Sequence, residues 1–149
     1  MTQGMFEGCY NLTSIETNLD SLTHGGCMFK DCTNLTHWDI PLPALTHGEG
    51  MFNHTGLVSF TQPLNSLQIG GNGGWREWVT DADWDTDKYS YWNQRNFYNI
   101  NGMFKNTPLT QWNIDLPALT DGTAMFNECT SLESFSGSLN NLEIGGGYY

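Results

Sequence analysis

The chain has 149 residues, the size of one domain, and 16 acidic against 5 basic residues give it a net charge of -11. A protein that binds nucleic acid or an anionic membrane needs a basic face, and this composition argues against one. No apolar run approaches the roughly 20 residues that cross a bilayer, so we expect no membrane insertion. The first residues also lack the basic and apolar regions of a signal peptide.

A Met-Phe dipeptide recurs along the chain and marks an internal repeat. Each copy is followed in register by Cys or Thr, then Leu, then Ile, Phe or Trp, then two leucines and a glycine. A unit of 22 or 23 residues cannot close a core alone, but stacked units can. The dipeptide stands at Met5-Phe6, Met28-Phe29, Met51-Phe52, Met103-Phe104 and Met125-Phe126.

The composition of one unit predicts its backbone. The stretch from Cys to the aromatic residue, as in 9–15 and 32–38, alternates in polarity and predicts a strand. The two prolines within 40–48 exclude a regular helix and favour extended backbone, so only 27–32 suits a helical turn. We therefore predict a mostly β solenoid with one short strand per coil and little helix, interrupted by an aromatic-rich insert.

The spacing C-x-x-L-x-x-[IFW]-x-x-x-L-x-x-L-x-x-G-x-x-M-F resembles the 23-residue leucine-rich repeat of BspA-like surface proteins. The segment "DIPLPAL" (39–45) matches the middle of that repeat, and Met takes the place of the family's Ala before Phe. The resemblance covers roughly residues 1–73 and 101–147. It implies an extracellular adhesion or recognition scaffold, similar also to repeats of bacterial surface proteins and phage fibres.

Residues 74–101 do not fit the repeat and take the place of roughly one coil. They hold 8 of the 20 aromatic residues, and rigid aromatic side chains give large contact area in recognition loops. The competing interpretation is a degenerate coil or hairpin whose rings pack on the array. If the insert binds a ligand, the candidate residues are Trp75, Trp78, Trp84, Tyr89, Tyr91, Trp92 and Tyr98.

Three segments follow from the repeat and its interruption. Residues 1–73 form a repeat array of three coils, 74–101 the aromatic and acidic insert, and 102–149 an array of two coils. Because 141–149 resembles the approach to the insert, a second insert is expected to begin at Tyr148. Neither end has the polar face of a capping unit, which favours a longer repeat protein or ends covered by partners.

Alternating carboxylates in the insert resemble the start of a calcium loop. The calcium pattern then fails, because Thr86 replaces the required glycine and Trp92 the required acid. A solvated acidic turn is the commoner outcome, so calcium is a weak candidate and no other cofactor is expected. The carboxylates concerned are Asp81, Asp83, Asp85 and Asp87.

The cysteines follow the repeat. Cys9, Cys32 and Cys129 share one repeat position with Thr55 and Thr107. Cys and Thr are both small and can donate a hydrogen bond, so this interchange predicts a buried column of free thiols and hydroxyls rather than a bridge between neighbouring coils. No C-x-x-C pair supports zinc.

A histidine row is the second polar feature of the repeat. His24 and His47 occupy equivalent positions, and the row continues through Gln3, Gln68 and Asp121. An exposed polar ladder is the expected structure. A stacked histidine pair that binds metal, or that makes the array sensitive to acid, is the alternative.

No enzyme motif such as G-x-S-x-G, a Walker loop or H-E-x-x-H occurs. We therefore expect a non-catalytic recognition or adhesion module, extracellular or on a cell or virion surface, whose partner is a glycan or a surface protein. One alternative is a structural segment of a fibre, in which neighbouring copies are the partners. A glycan hydrolase is a further alternative, since acids lie beside tryptophans in the insert.

Overall fold

The repeat units stack directly on one another through a column of phenylalanine rings. The computed structural model describes residues 4–72 and 101–145. We number the units 1 to 5 and assign them residues 4–26, 27–49, 50–72, 101–123 and 124–145. Neighbouring ring centroids lie 5.4 to 5.8 Å apart with planes within 12° of parallel. The rings belong to Phe6, Phe29, Phe52, Phe104 and Phe126.

A second set of aromatic rings packs between adjacent phenylalanines of the column. Trp38 meets Phe29 and Phe52 edge-on, with centroids 5.0 and 4.8 Å away. Trp112 makes the same contacts with Phe104 and Phe126. Edge-on contact is the geometry that ring quadrupoles prefer, so each of these rings packs into the step between two units.

Leucines complete the core beneath the rings, and the three middle units bury them fully. The same positions are only partly buried in units 1 and 5, because each outer unit has a neighbour on one side. Unit stacking thus supplies the core that a single unit lacks. The fully buried leucines are Leu35, Leu42, Leu45, Leu57, Leu64, Leu67, Leu109 and Leu116.

Backbone hydrogen bonds join the Met-Phe segments of successive units. Phe29 N donates to Met51 O at 2.9 Å, and two residues later Asp31 N donates to Asn53 O at 2.9 Å. Left-handed backbone recurs at two positions of the unit, the residue before Met in units 1, 2, 3 and 5 and the third residue after Met in all five units. The first of these columns contains Gly4, Cys27, Gly50 and Ala124, and the second contains Gly8, Asp31, His54, Asn106 and Glu128.

Regular secondary structure is sparse. No helix occurs in residues 4–72 and 101–145, and none there is long and apolar enough to cross a bilayer. The strands are β1 (Gly71–Asn72), β2 (Asn101–Gly102), β3 (Gln111–Trp112) and β4 (Ser134–Phe135). β1 pairs antiparallel with β2, and β3 pairs parallel with β4. The predicted scarcity of helix is confirmed for this part of the chain.

The predicted position of the strand is confirmed in units 4 and 5, where β3 and β4 lie in the Cys-to-aromatic stretch, and is wrong in units 1 to 3. The continuous column of parallel bridges lies just before the repeat glycine, at His24, His47, Ile69, Asp121 and Ile144. There two adjacent N–H groups of one unit donate to a single carbonyl of the unit before it. The Cys-to-aromatic stretch has sparser bonds between units, such as Val58 N to Thr36 O, and forms strand only at β3 and β4.

The array is continuous across the insert. Phe52 of unit 3 stacks on Phe104 of unit 4 at 5.5 Å, and Ile69 bridges Asp121. Units 3 and 4 are therefore direct neighbours, and the expectation that the insert takes the place of a coil was wrong. The alignment of unit 4 on unit 3 is thus set by the contacts between the two units and not by the length of chain that joins them.

Phe52→Ala should lower the free energy of unfolding by about 3–5 kcal/mol, because the ring is fully buried between two others. Phe135→Ala is the matched control, since its ring is 40% exposed and lies in an outer unit. Urea denaturation followed by tryptophan fluorescence measures both. Equal losses in the two variants would contradict the ring column as the main source of stability.

Gly50→Ala and Gly8→Ala separate backbone strain from close packing. Both glycines have left-handed backbone, but a Cβ at Gly50 would lie 2.9 Å from Cys27 Sγ and 3.1 Å from Asn101 Cβ, whereas Gly8 faces open space. We expect Gly8→Ala to lose about 1 kcal/mol from strain alone, and Gly50→Ala to lose more. Thermal denaturation compares them, and a Gly50 variant as stable as the Gly8 variant would refute close packing there.

Candidate functional site

The insert leaves and re-enters the array at one point. β1 and β2 carry the chain out and back, with Gly71 opposite Gly102 and Asn72 opposite Asn101. A Cβ on Gly71 would overlap the carbonyl oxygen of Thr123, and a Cβ on Gly102 would overlap that of Ala124. Only glycine fits, since this hairpin base lies directly on the backbone of the neighbouring segment.

The predicted ligand-binding residues lie outside the described part of the chain. The structure therefore places their attachment point but neither the rings nor the acidic row. The residues concerned are Trp75, Trp78, Trp84, Tyr89, Tyr91, Trp92 and Tyr98, together with Asp81, Asp83, Asp85 and Asp87. Tyr148 and Gln3, named in the sequence predictions, also fall outside it.

A polar groove crosses units 2 to 5 beside the second left-handed column, and sequence reasoning missed it. Its volume is about 320 Å³, within the size range of small-molecule sites. The groove is lined by Thr33, His54, Thr55, Asn106, Thr107, Pro108, Glu128, Thr130 and Ser131. We call this feature the polar groove.

The groove arises from a difference in unit length. Leu35 follows Phe29 by six positions, whereas Leu57 follows Phe52 by only five, and unit 4 is shortened in the same place. The lining residues come from the two shorter units, 3 and 4, and from the longer units 2 and 5 on either side of them. The one-residue shortening was visible in the sequence and could have indicated a recess.

One groove side chain is held by an ion-pairing contact. His54 Nδ1 lies 2.9 Å from Asp31 Oδ1, across one unit step. A carboxylate accepts hydrogen bonds, so the imidazole donates from Nδ1, and in the neutral ring Nε2 is then an acceptor. The contact fixes the orientation of the ring at the groove.

The shared Cys and Thr position is a hydrogen-bonding column, and its predicted burial is confirmed in units 2 to 4 at Cys32, Thr55 and Thr107. Cys129 is half-buried and Cys9 is exposed, because each lies in an outer unit. Cys32 Sγ donates to Phe6 O at 3.1 Å, and Cys129 Sγ donates to Phe104 O at 3.0 Å. Thr55 Oγ1 donates to Phe52 O at 2.9 Å. Cys donates to the preceding unit and Thr to its own unit, so both satisfy a carbonyl of the phenylalanine column.

All four cysteines are free thiols, in agreement with the favoured prediction. Burial raises the pKa of the Cys32 thiol above its ordinary value. Burial also raises the pKa of Cys27, partly opposed by the nearby charge of Lys30. Both thiols therefore stay protonated and unreactive near neutral pH.

The two histidines of the row stack on each other, with ring centroids 4.2 Å apart and planes 12° from parallel. Each Nδ1 contacts a threonine hydroxyl, Thr23 at 3.0 Å and Thr46 at 2.9 Å. The predicted row was wrong at Gln68, because Ile69 occupies that register. In residues 4–72 and 101–145, no three His, Cys, Asp or Glu side chains are grouped to hold a metal ion.

Comparison with known proteins now identifies the repeat. Residues 1–73 match the family model described as BspA type leucine rich repeat region (6 copies). Residues 1–73 belong to the BspA-type leucine-rich repeat family. The match confirms the resemblance drawn from the repeat spacing for residues 1–73, and regions of this type are typically surface-associated and non-catalytic. No curated protein and no solved structure matches the chain.

The buried thiol of Cys32 predicts how the stability of the protein depends on pH. Because burial raises the pKa of folded Cys32, the folded chain holds the thiol proton more tightly than the unfolded chain does. Its contribution to stability is full below about pH 9 and is lost as pH rises through the raised pKa. Units 3 and 4 have threonine at this position. Cys32→Thr should therefore reduce the loss of stability at alkaline pH.

Urea denaturation at pH 7.5 and pH 10 measures the loss in the wild type and the variant. Cys9→Thr, the same change at an exposed position of the same column, is the control. An alkaline loss unchanged by Cys32→Thr would show that the buried thiol does not contribute to it.

Proposed function

We propose that this chain is a non-catalytic, extracellular recognition or adhesion module of a cell or virion surface. In this proposal the stacked BspA-type units form a solenoid, and the insert 74–101 presents its aromatic residues to a glycan or a surface protein. The array supplies a rigid support, and the insert supplies the contact surface.

The observation that carries the proposal is the hairpin base of the insert. The units on either side stack in register, and the two connecting strands leave the array side by side. A segment attached in this way adds to the repeat without replacing any of its contacts. Because the units on either side keep their stacking across it, we infer that the insert serves binding rather than completing the core.

Composition supports a partner that is not strongly anionic. Tryptophan and tyrosine contribute contact area at low entropic cost, and their faces suit the C–H surfaces of sugar rings. The net charge of -11 disfavours nucleic acid and anionic membranes. If a cation takes part, the acidic row of the insert makes calcium the natural choice.

The end of the array favours a second candidate, a structural segment of a fibre. Unit 5 exposes Phe135 by 40% and Ile144 by 39%. A recess of about 200 Å³ opens beside them, lined by Leu119, Met125 and Leu142 among others. Large exposed apolar side chains around a recess favour burial against another chain.

A shortened chain tests the proposal. Asn72 and Asn101 are register partners, so a two-residue Asn-Gly turn in place of 73–100 closes a standard hairpin. We expect this variant to keep its thermal stability and to lose binding to an immobilised panel of glycans. The assay is run with and without calcium.

A second variant separates the rings from the insert as a whole. In the full-length chain, Trp75, Trp78, Trp84 and Trp92 are replaced by Ala, which should abolish binding if the rings make the contact. Glycan binding retained by the shortened chain would overturn the proposal. Absence of binding by any form, with self-association lost on shortening, would instead favour the fibre segment.

A further inference from the structure

We propose that the polar groove is a second binding site, which takes a neutral saccharide on the array itself. The lining residues in the described part of the chain all belong to units 2 to 5, so the array itself supplies this site. The proposal therefore does not depend on the function proposed for the insert.

Backbone strain in the groove first indicates binding. Asp31, His54, Asn106 and Glu128 all have left-handed backbone, with φ between 58° and 64°. Such a conformation costs a non-glycine residue about 1 kcal/mol or more, and it recurs at binding sites. Gly8 has the same position and the same left-handed backbone in unit 1, so the fold of a unit does not require a side chain at this position. Units 2 to 5 nonetheless carry polar side chains at this position.

Part of the groove lining, namely His54, Thr55 and Thr107, is held in place before a ligand arrives. Left-handed backbone fixes the direction of each Cα–Cβ bond, and the contact with Asp31 holds His54. The neighbouring hydroxyls of Thr55 and Thr107 donate to carbonyls of their own units at 2.9 and 2.8 Å, which fixes these two side chains. Preorganised groups lose little entropy on binding.

The lining combines hydrogen-bonding groups with small apolar surfaces. His54 Nε2 and the Glu128 carboxylate accept hydrogen bonds, while the Asn106 amide both donates and accepts. Pro108 and the threonine methyl groups supply apolar surface beside them. A sugar ring presents the same combination, with hydroxyls around its edge and C–H bonds on its faces.

The charge of the groove argues against an anionic ligand. Among the described residues that line it, Glu128 places a carboxylate in the groove and none is Lys or Arg. The carboxylate of Asp31 lies next to it, at His54. These carboxylates would repel a phosphate, a sulfate or a sialic acid. A neutral saccharide meets no such penalty.

The backbone of the groove argues against an extended peptide. A peptide that adds to a sheet needs an edge with free N–H and C=O groups. His54 N donates to Lys105 O at 2.9 Å, and Asn106 N donates to Asn127 O at 2.8 Å. Since these donors are already bonded between units, recognition depends on side chains.

The test replaces three groove side chains with the residue that unit 1 already uses. His54→Gly, Asn106→Gly and Glu128→Gly are combined in the full-length chain, and glycine suits the left-handed backbone at each position. Gln111→Ala, an exposed change on β3, is the control. Binding is measured on immobilised neutral oligosaccharides of hexose, N-acetylhexosamine and deoxyhexose, alongside their sialylated and sulfated counterparts.

We expect at least one neutral oligosaccharide to bind the wild type and the Gln111→Ala control equally. Its affinity should fall at least tenfold in the triple glycine variant and persist in the chain lacking the four insert tryptophans. Urea denaturation confirms that the triple variant is folded.

Three results would overturn the proposal. One is the absence of a neutral oligosaccharide whose binding distinguishes the triple variant from the wild type. Another is a preference for the sialylated or sulfated counterparts. The third is binding that is lost only with the insert tryptophans, which would assign saccharide recognition to the insert and leave the groove without this role.

Discussion

Stacking of one phenylalanine on the next is the contact on which the rest of the structure depends. A unit of 23 residues buries almost nothing alone, so each unit draws its core from its neighbours. Neighbouring rings lie 5.4 to 5.8 Å apart. The other columns repeat once per unit beside them, including the leucines, the thiols and hydroxyls, and the backbone bridges. The outer units show the same dependence, because their equivalent side chains stay partly exposed.

The same constraint explains how the chain accommodates features that do not belong to the repeat. Because contacts run between units rather than along the chain, an insertion of any length is tolerated where both its ends reach the array together. The glycines at β1 and β2 make this possible by letting two strands lie on the backbone of the next segment. A deletion of one residue is tolerated too, since units 3 and 4 keep their leucines in register and only the surface changes. The insert and the polar groove are thus two surface variations on one core.

Most of the core could be read from the sequence. The recurrence of Met-Phe, Leu and Gly at fixed spacing indicated which residues are buried. The interchange of Cys with Thr at one repeat position indicated that their side chains form a hydrogen-bonding column without disulfides. Strand position was misjudged in units 1 to 3, because alternation in 32–38 resembles a strand while the continuous bridges form at His47 and its equivalents. Alternation of polar and apolar residues indicates which side chains face inward. A ladder of strands also needs free backbone N–H and C=O groups on both partners. In 32–38 the Leu35 N–H is already bonded to Cys32 O within the unit.

By itself, the sequence determined the repeat, its family and its buried face, because burial imposes a period that any array of this kind must keep. Only the tertiary structure decided how units 3 and 4 meet, since sequence distance across 74–101 carries no information on spatial distance. It also decided that shortening two adjacent units would produce a groove, because a recess depends on what lies on both sides of it. The sequence gives the residues of each unit, but the surfaces that two or more units form together exist only once the units are stacked.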